Sequence, residues 1–199
     1  VATKHAKTLD DAQFARLMVH CAKGQHPLRD QVMVLLSHKA GLRSCEIAGL
    51  EWTDVTTADG EVNSRTLFIP DDIAKNGKER TLPMHPSLHL ALSLLRGAYP
   101  DDKRIIFAVN PQLPFRDPVR PVTANAVTFW FKHLYERCGF EGCSSHSGRR
   151  TFITRAAQRA GRFDCSLRDV QALAGHASLN TTEMYIDLSA RAGELVNAL

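Results

Sequence analysis

A chain of 199 residues, 44% hydrophobic and 23% charged, fits one globular domain with a buried core. No run of about 18 apolar residues occurs, which excludes a membrane-spanning helix, and residues 1–10 lack the apolar stretch of a secretory signal. Five cysteines without a C-x-x-C pair argue against a disulfide framework or structural zinc and fit reduced cytoplasmic thiols, while the net charge of +4 is compatible with a nucleic-acid partner.

In chain order, Asp10 is placed to cap a helix that carries Phe14, Leu17, Met18 and Cys21 at helical spacing. A second helix is predicted from Leu28 to Lys39, with Val32, Leu35 and Leu36 on its buried side and Gly41 ending it. Ser44 is positioned to cap a short helix with Glu46, Ile47 and Leu50. After Trp52 the pattern changes. Turn signals at Asp59-Gly60 and Asn76-Gly77 flank strand-like residues 66–70 and precede Thr81-Leu82, which predicts an antiparallel sheet of two or three strands within 51–84.

Helices then resume. Pro86 opens one with Leu88, Leu92 and Leu95 on a single face up to Gly97. A proline-rich stretch holds the apolar run Ile105-Ile106-Phe107. Thr123 caps a helix burying Val127, Trp130, Phe131 and Leu134; Ser144 or Ser145 caps another with Phe152 and Ile153; Ser166 opens a third, closed by Gly175. Trp130, Phe131 and Phe152 read as core rather than base-stacking groups. Short helices are predicted around Tyr185 and from Ser189 onward. The class is mainly α with one small antiparallel sheet, α+β.

Cationic side chains fall at the punctuation points of this pattern. Arg43 follows Gly41, Lys75 adjoins the Asn76-Gly77 turn, His146 and Arg149 are three apart at a helix start, and His176 follows Gly175 with Tyr185 nine residues on. Taken singly, each reads as a solvated or capping residue.

Taken together they resemble a known set. Residues 40–50, Ala-Gly-Leu-Arg-Ser-Cys-Glu-Ile-Ala-Gly-Leu, resemble the first motif of the tyrosine recombinases, or phage integrase family. Residues 75–84, with Lys75, Lys78, Arg80 and Pro83, are similar to that family's hairpin lysine motif. His146-Ser-Gly-Arg149-Arg-Thr-Phe is similar to its His-x-x-Arg box, and residues 173–185 resemble its final box with the His-to-Tyr spacing intact. The motifs occur in the family's order from about Thr8 onward.

The resemblance implies a tyrosine recombinase catalytic domain over 1–199 that cuts and rejoins DNA. Tyr185 would attack the scissile phosphate to give a 3′-phosphotyrosyl bond and a free 5′-hydroxyl. A phenol ordinarily titrates near pKa 10, so attack needs a base or a strongly cationic setting. Arg43 and Arg149 would clamp the non-bridging oxygens, His176 would donate a further hydrogen bond, and His146 would assist deprotonation. Lys75, preferred over Lys78, would protonate the leaving oxygen. Glu46 would orient the neighbouring basic groups. Lys78, Arg80, Arg150 and Arg155 are candidate DNA-backbone contacts, against the alternative of a solvated basic face.

Neither metal, ATP nor another cofactor is expected. The expected partners are double-stranded DNA and further copies of the chain in a tetramer on DNA, joined through a C-terminal amphipathic helix bearing Leu188, Ala192, Leu195, Val196 and Leu199, against the alternative that this helix packs on its own domain. No membrane association is expected, and the place of action is the cytoplasm, at the nucleoid. Three departures stand out. The Arg43-to-Lys75 interval is long, and Gly148 and Arg150 occupy places where relatives often carry an apolar residue and a histidine. No counterpart of the family's N-terminal clamp domain is seen, so a catalytic fragment or a single-domain version is expected. A catalytically inactive DNA-binding regulator and a type IB topoisomerase-like enzyme are the alternatives. Integration, excision and resolution are not distinguished.

Overall fold

The computed structural model describes residues 6–109 and 116–185. Its first helix, α1 (Asp11–Ala22), starts as the capping signal requires: Asp10 accepts from the Gln13 N–H at 2.7 Å and Gln13 accepts from the Asp10 N–H at 3.0 Å. Helix α2 (Pro27–Lys39) begins one residue earlier than its apolar pattern suggests, since proline suits an N-terminal turn. The expected one-sided burial is corrected. Residues 32–38 of α2 are all buried, because α1, α4 and α6 pack around it.

The short helix α3 (Ser44–Gly49) is preceded by Arg43, not capped by Ser44. Its first turn is closed by Glu46, whose carboxylate accepts from the Arg43 N–H at 2.8 Å. A 3-10 turn (Trp52–Asp54) leads into the hairpin of β1 (Thr66–Ile69) and β2 (Arg80–Pro83), antiparallel with Leu67 opposite Leu82. Helix α4 (Pro86–Ala98) buries Leu88, Leu92 and Leu95 and runs through Gly97.

A second ribbon corrects the expectation of a single sheet. Strands β3 (Phe107–Val109) and β4 (Arg116–Pro121) pair antiparallel inside the proline-rich stretch, with an irregular register after Phe107. In a two-stranded ribbon both strands are edges, so the missing proline N–H at Pro118 and Pro121 can face away from the ladder.

Helix α5 (Ala124–Arg137) is capped by Thr123, which accepts from the Ala126 N–H at 3.1 Å. Helix α6 (Ser147–Arg159) has His146 in the cap position instead of Ser144 or Ser145. Ser144 contributes differently, donating its N–H to Ser147 Oγ at 2.9 Å. A 3-10 turn (Ala160–Phe163) joins α6 to α7 (Leu167–Ala174), where Ser166 and Asp169 form the cap. The last described helix, α8 (Leu179–Glu183), stops before Tyr185. The expected helix from Ser189 onward lies outside the described residues.

The main core lies among α1–α5 and the β1–β2 hairpin, with Phe131 and Tyr135 among its largest fully buried side chains. A smaller core of Ile153, Ala160, Val170 and Ala174 joins α6 to α7 and receives Phe152 and Tyr185 at its margin. The candidate site lies where the two bodies of packing meet. All five cysteines are free, and no described helix is long and apolar enough to cross a membrane.

Candidate active site

Two glycine turns and one side-chain contact bring distant segments to one place. Gly41 adopts φ +66°, a conformation that favours glycine, and a Cβ there would run into the Phe152 ring. The turn lets the chain reverse after α2 and leaves the Gly41 carbonyl to accept from Arg149 Nη1 at 2.6 Å. Gly175, at φ +60°, ends α7 in the left-handed conformation and sets His176 beside the hairpin. Asn76 Nδ2 at the hairpin tip donates to the Gly175 carbonyl at 3.4 Å.

Arg149 is the buried anchor. Only 4% exposed, it donates to Gly41 on one side and to the Ala174 carbonyl at 2.5 Å on the other. Burial, then the charges of Arg43 and Arg80 set against Glu46, lower its pKa to about 10, so it stays protonated at neutral pH.

Glu46 has no exposed surface and is the acidic hub of the cationic group. Its Oε1 accepts from Arg43 Nη1 at 3.1 Å and from Arg80 Nη1 at 2.9 Å; its Oε2 accepts from Arg80 Nη2 at 2.9 Å. Burial alone would raise its pKa, but the hydrogen bonds and charge of Arg80, followed by those of Arg43, bring it below the usual carboxylate range. The Arg80 side chain is 10% exposed and bound to Glu46, which sets it apart from an outward-facing backbone contact. Arg155 is likewise engaged elsewhere, pairing with Asp11 at 2.6 Å and donating to the Leu9 carbonyl at 3.0 Å.

A cleft of about 390 Å³ opens between the hairpin and α7. Arg43, Lys75, Lys78 and Arg80 line one side, and Arg168, Gln171 and His176 the other. Lys75 and Lys78 are both exposed, and Glu79 is the carboxylate at the rim. Arg168 was not singled out in the sequence. The signal for it was its position, one helical turn before Gln171 on the α7 face that ends at Gly175-His176.

His176 is 9% exposed and its Nδ1 pairs with Thr182 Oγ1 at 2.9 Å, leaving Nε2 for the cleft. Burial, then Arg149, Arg43 and Arg80, lower its pKa to about 4. His146, exposed at the start of α6, has its pKa lowered by the surrounding protein and then by Arg149, Lys75 and Arg43. Both imidazoles are therefore neutral at pH 7. The Tyr185 ring lies 5.6 Å from that of His176 at an interplanar angle of 26°, and the Arg150 guanidinium sits 5.4 Å from the Tyr185 ring centroid. Among the described residues, no three His, Cys, Asp or Glu side chains gather as a metal ion would need.

The sequence profile of the phage integrase family matches residues 7–191. The chain belongs to the phage integrase family. This family member is 26% identical over 185 residues to tyrosine recombinase XerA of Pyrococcus furiosus, covering 93% of this chain and 58% of that one. It is 30% identical over 169 residues to tyrosine recombinase XerC of Herpetosiphon aurantiacus, covering 83% and 50%. The chain thus spans about half the length of these relatives.

Two solved structures share the fold of this family member. The crystal structure of XerA recombinase superposes with a TM-score of 0.70 at 20% identity, over 98% of this chain and 65% of that one. The Tn1549 transposon integrase in complex with a circular intermediate DNA gives 0.74 at 18% identity, over 100% and 67%. The mainly helical α+β class is that of these neighbours.

Proposed function

We propose that residues 1–199 form the catalytic domain of a site-specific DNA recombinase that cleaves and rejoins double-stranded DNA through Tyr185. The observation that carries this reading is the meeting of Arg43, Lys75, Arg149 and His176, from four separate segments, around the place where the Tyr185 ring packs on His176. The family relatives are tyrosine recombinases, and several structural neighbours were solved with DNA, which supports DNA as the partner.

In this reading the Tyr185 oxygen attacks the scissile phosphorus while the bond to the 5′ oxygen breaks. The phenol proton passes to His146, whose neutral imidazole can take it, and Lys75 supplies a proton to the departing 5′-hydroxyl. Arg43 and Arg149 hold the non-bridging oxygens, and His176 Nε2 donates a further hydrogen bond. Attack by a 5′-hydroxyl on the phosphotyrosyl bond reverses the bookkeeping of bonds and protons, so the link itself conserves the energy needed for rejoining. Lys75, Lys78 and Arg168 supply the cationic rim for neighbouring phosphates. Residues 186–199 carry the apolar pattern expected to join copies into a tetramer on DNA.

The test is to incubate the protein with an end-labelled pool of randomised duplexes nicked to trap the covalent product. Label should migrate with the denatured protein, and Tyr185→Phe should abolish it. An adduct surviving that substitution would overturn the nucleophile. No adduct despite duplex binding would favour an inactive DNA-binding regulator. Relaxation of supercoiled DNA without paired sites would favour a topoisomerase-like enzyme.

A further inference from the structure

We infer that Arg150 is a positioning residue: its guanidinium, set over the Tyr185 ring, holds the nucleophile in the site of its own chain. The inference rests on the function proposed above but concerns a residue for which phosphate binding was the expectation.

The backbone alone gives Tyr185 little support. Helix α8 has five residues, Leu179–Glu183, far below the length at which an isolated helix is stable. The Tyr185 N–H donates to the Thr182 carbonyl at 3.0 Å, a contact within the same turn. What fixes the ring is therefore side-chain packing. It lies at the margin of the small α6–α7 core, against the His176 ring at 5.6 Å and beneath Arg150 at 5.4 Å from its centroid.

The base of this arrangement is rigid. Arg150 follows Arg149 on α6, and Arg149 is pinned to the Gly41 and Ala174 carbonyls. Successive helical residues point about 100° apart, so α6 directs one guanidinium into the protein and the next over the phenol. Arg150 is half-buried, its N–H donates to His146 at 2.8 Å within the helix, and among the described residues its guanidinium makes no hydrogen bond or ion pair. A cation facing an aromatic ring is attracted by the ring's negative face, and the attraction strengthens with desolvation. His176 is itself held through Thr182, one turn before Tyr185, so the histidine and Arg150 confine the same ring from two different elements.

The test uses the full chain with Arg150→Met, which keeps a long apolar stem without the charge, and Arg150→Lys, which restores a cation. Without DNA, ¹³C-labelled tyrosine rings are followed by NMR, the Tyr185 signal being assigned through Tyr185→Phe, together with amide exchange over 179–185. Arg150→Met should shift the Tyr185 signal and speed exchange in this segment, and Arg150→Lys should recover part of both. With DNA, single-turnover adduct formation at saturating duplex should fall about tenfold in Arg150→Met, the scale of a modest cation–ring contact, while duplex affinity and its salt dependence stay unchanged. An unshifted Tyr185 signal with unchanged exchange would overturn the inference. So would a loss confined to duplex affinity, which would make Arg150 a backbone contact. If the unsubstituted chain forms no adduct, the function proposed above fails, while the DNA-free arm still decides the contact.

Discussion

Replacing Glu46 with glutamine is the sharpest probe of how the cationic group is held together. The carboxylate is fully buried and accepts four hydrogen bonds, from the Arg43 N–H and Nη1 and from Arg80 Nη1 and Nη2. Glutamine keeps the shape but turns one acceptor into an N–H₂ group aimed at donors, and it removes the charge opposing two guanidiniums that are 14% and 10% exposed. Breaking a buried pair by removing one partner costs about 3–5 kcal/mol. The residual amide carbonyl still accepts from one arginine, so Glu46→Gln is expected to lose about 2–4 kcal/mol. Urea unfolding at pH 7 followed by circular dichroism measures this. Combining Glu46→Gln with Arg80→Met should recover part of the loss, with a coupling of about 1–3 kcal/mol. A single-substitution loss under about 0.5 kcal/mol, or additive losses in the double substitution, would refute the hub, since surface changes of no structural consequence fall in that range.

Three further outcomes follow from the same contacts. Gly41→Ala adds a left-handed backbone penalty and a clash with Phe152, so a loss of about 2–4 kcal/mol is expected in the same unfolding assay. On acidification, His38, lowered to about 3 by burial and then by Arg155 and Lys39, and His176, lowered to about 4, remain neutral while the unfolded chain takes up protons from about pH 6.5. Their stabilisation is present above 6.5 and lost as pH falls toward 4 and then 3, on the order of a few kcal/mol in all. Urea midpoints at pH 7 and 5 test it, and His38→Gln should flatten the slope. Arg168→Gln should weaken duplex binding and make the slope of log K against log salt shallower by about 0.9; an unchanged slope would remove Arg168 from the contact surface.

The parts of the fold that were legible depended on local signals. Asp10 with Gln13, Thr123, and Ser166 with Asp169 close their helix starts through side chains a few residues away, and such contacts are encoded in spacing. The burial of α2 on nearly all sides was not legible, because it depends on three helices that arrive from elsewhere in the chain. The β3–β4 ribbon was hidden by its prolines, which count against a strand only where both edges must be paired. At the site, residue types and spacing located the groups but not their partners. Arg80, Arg150 and Arg155 all read as surface cations, yet the fold gives them a buried carboxylate, an aromatic ring and the start of α1. Arg168 went unread because a single arginine on a short helix gains meaning only when the hairpin comes to face it.

Arg149 also has a mechanical consequence. Its two carbonyl contacts span 108 and 25 residues of chain, which makes one guanidinium a rivet through the end of α2, the start of α6 and the end of α7. Substituting it would loosen the very frame that spaces the cleft residues, so lost activity in such a variant would confound chemistry with assembly. It also means the site has no independent existence as a flexible patch: its geometry is complete only when segments that lie far apart in the chain have closed around one side chain.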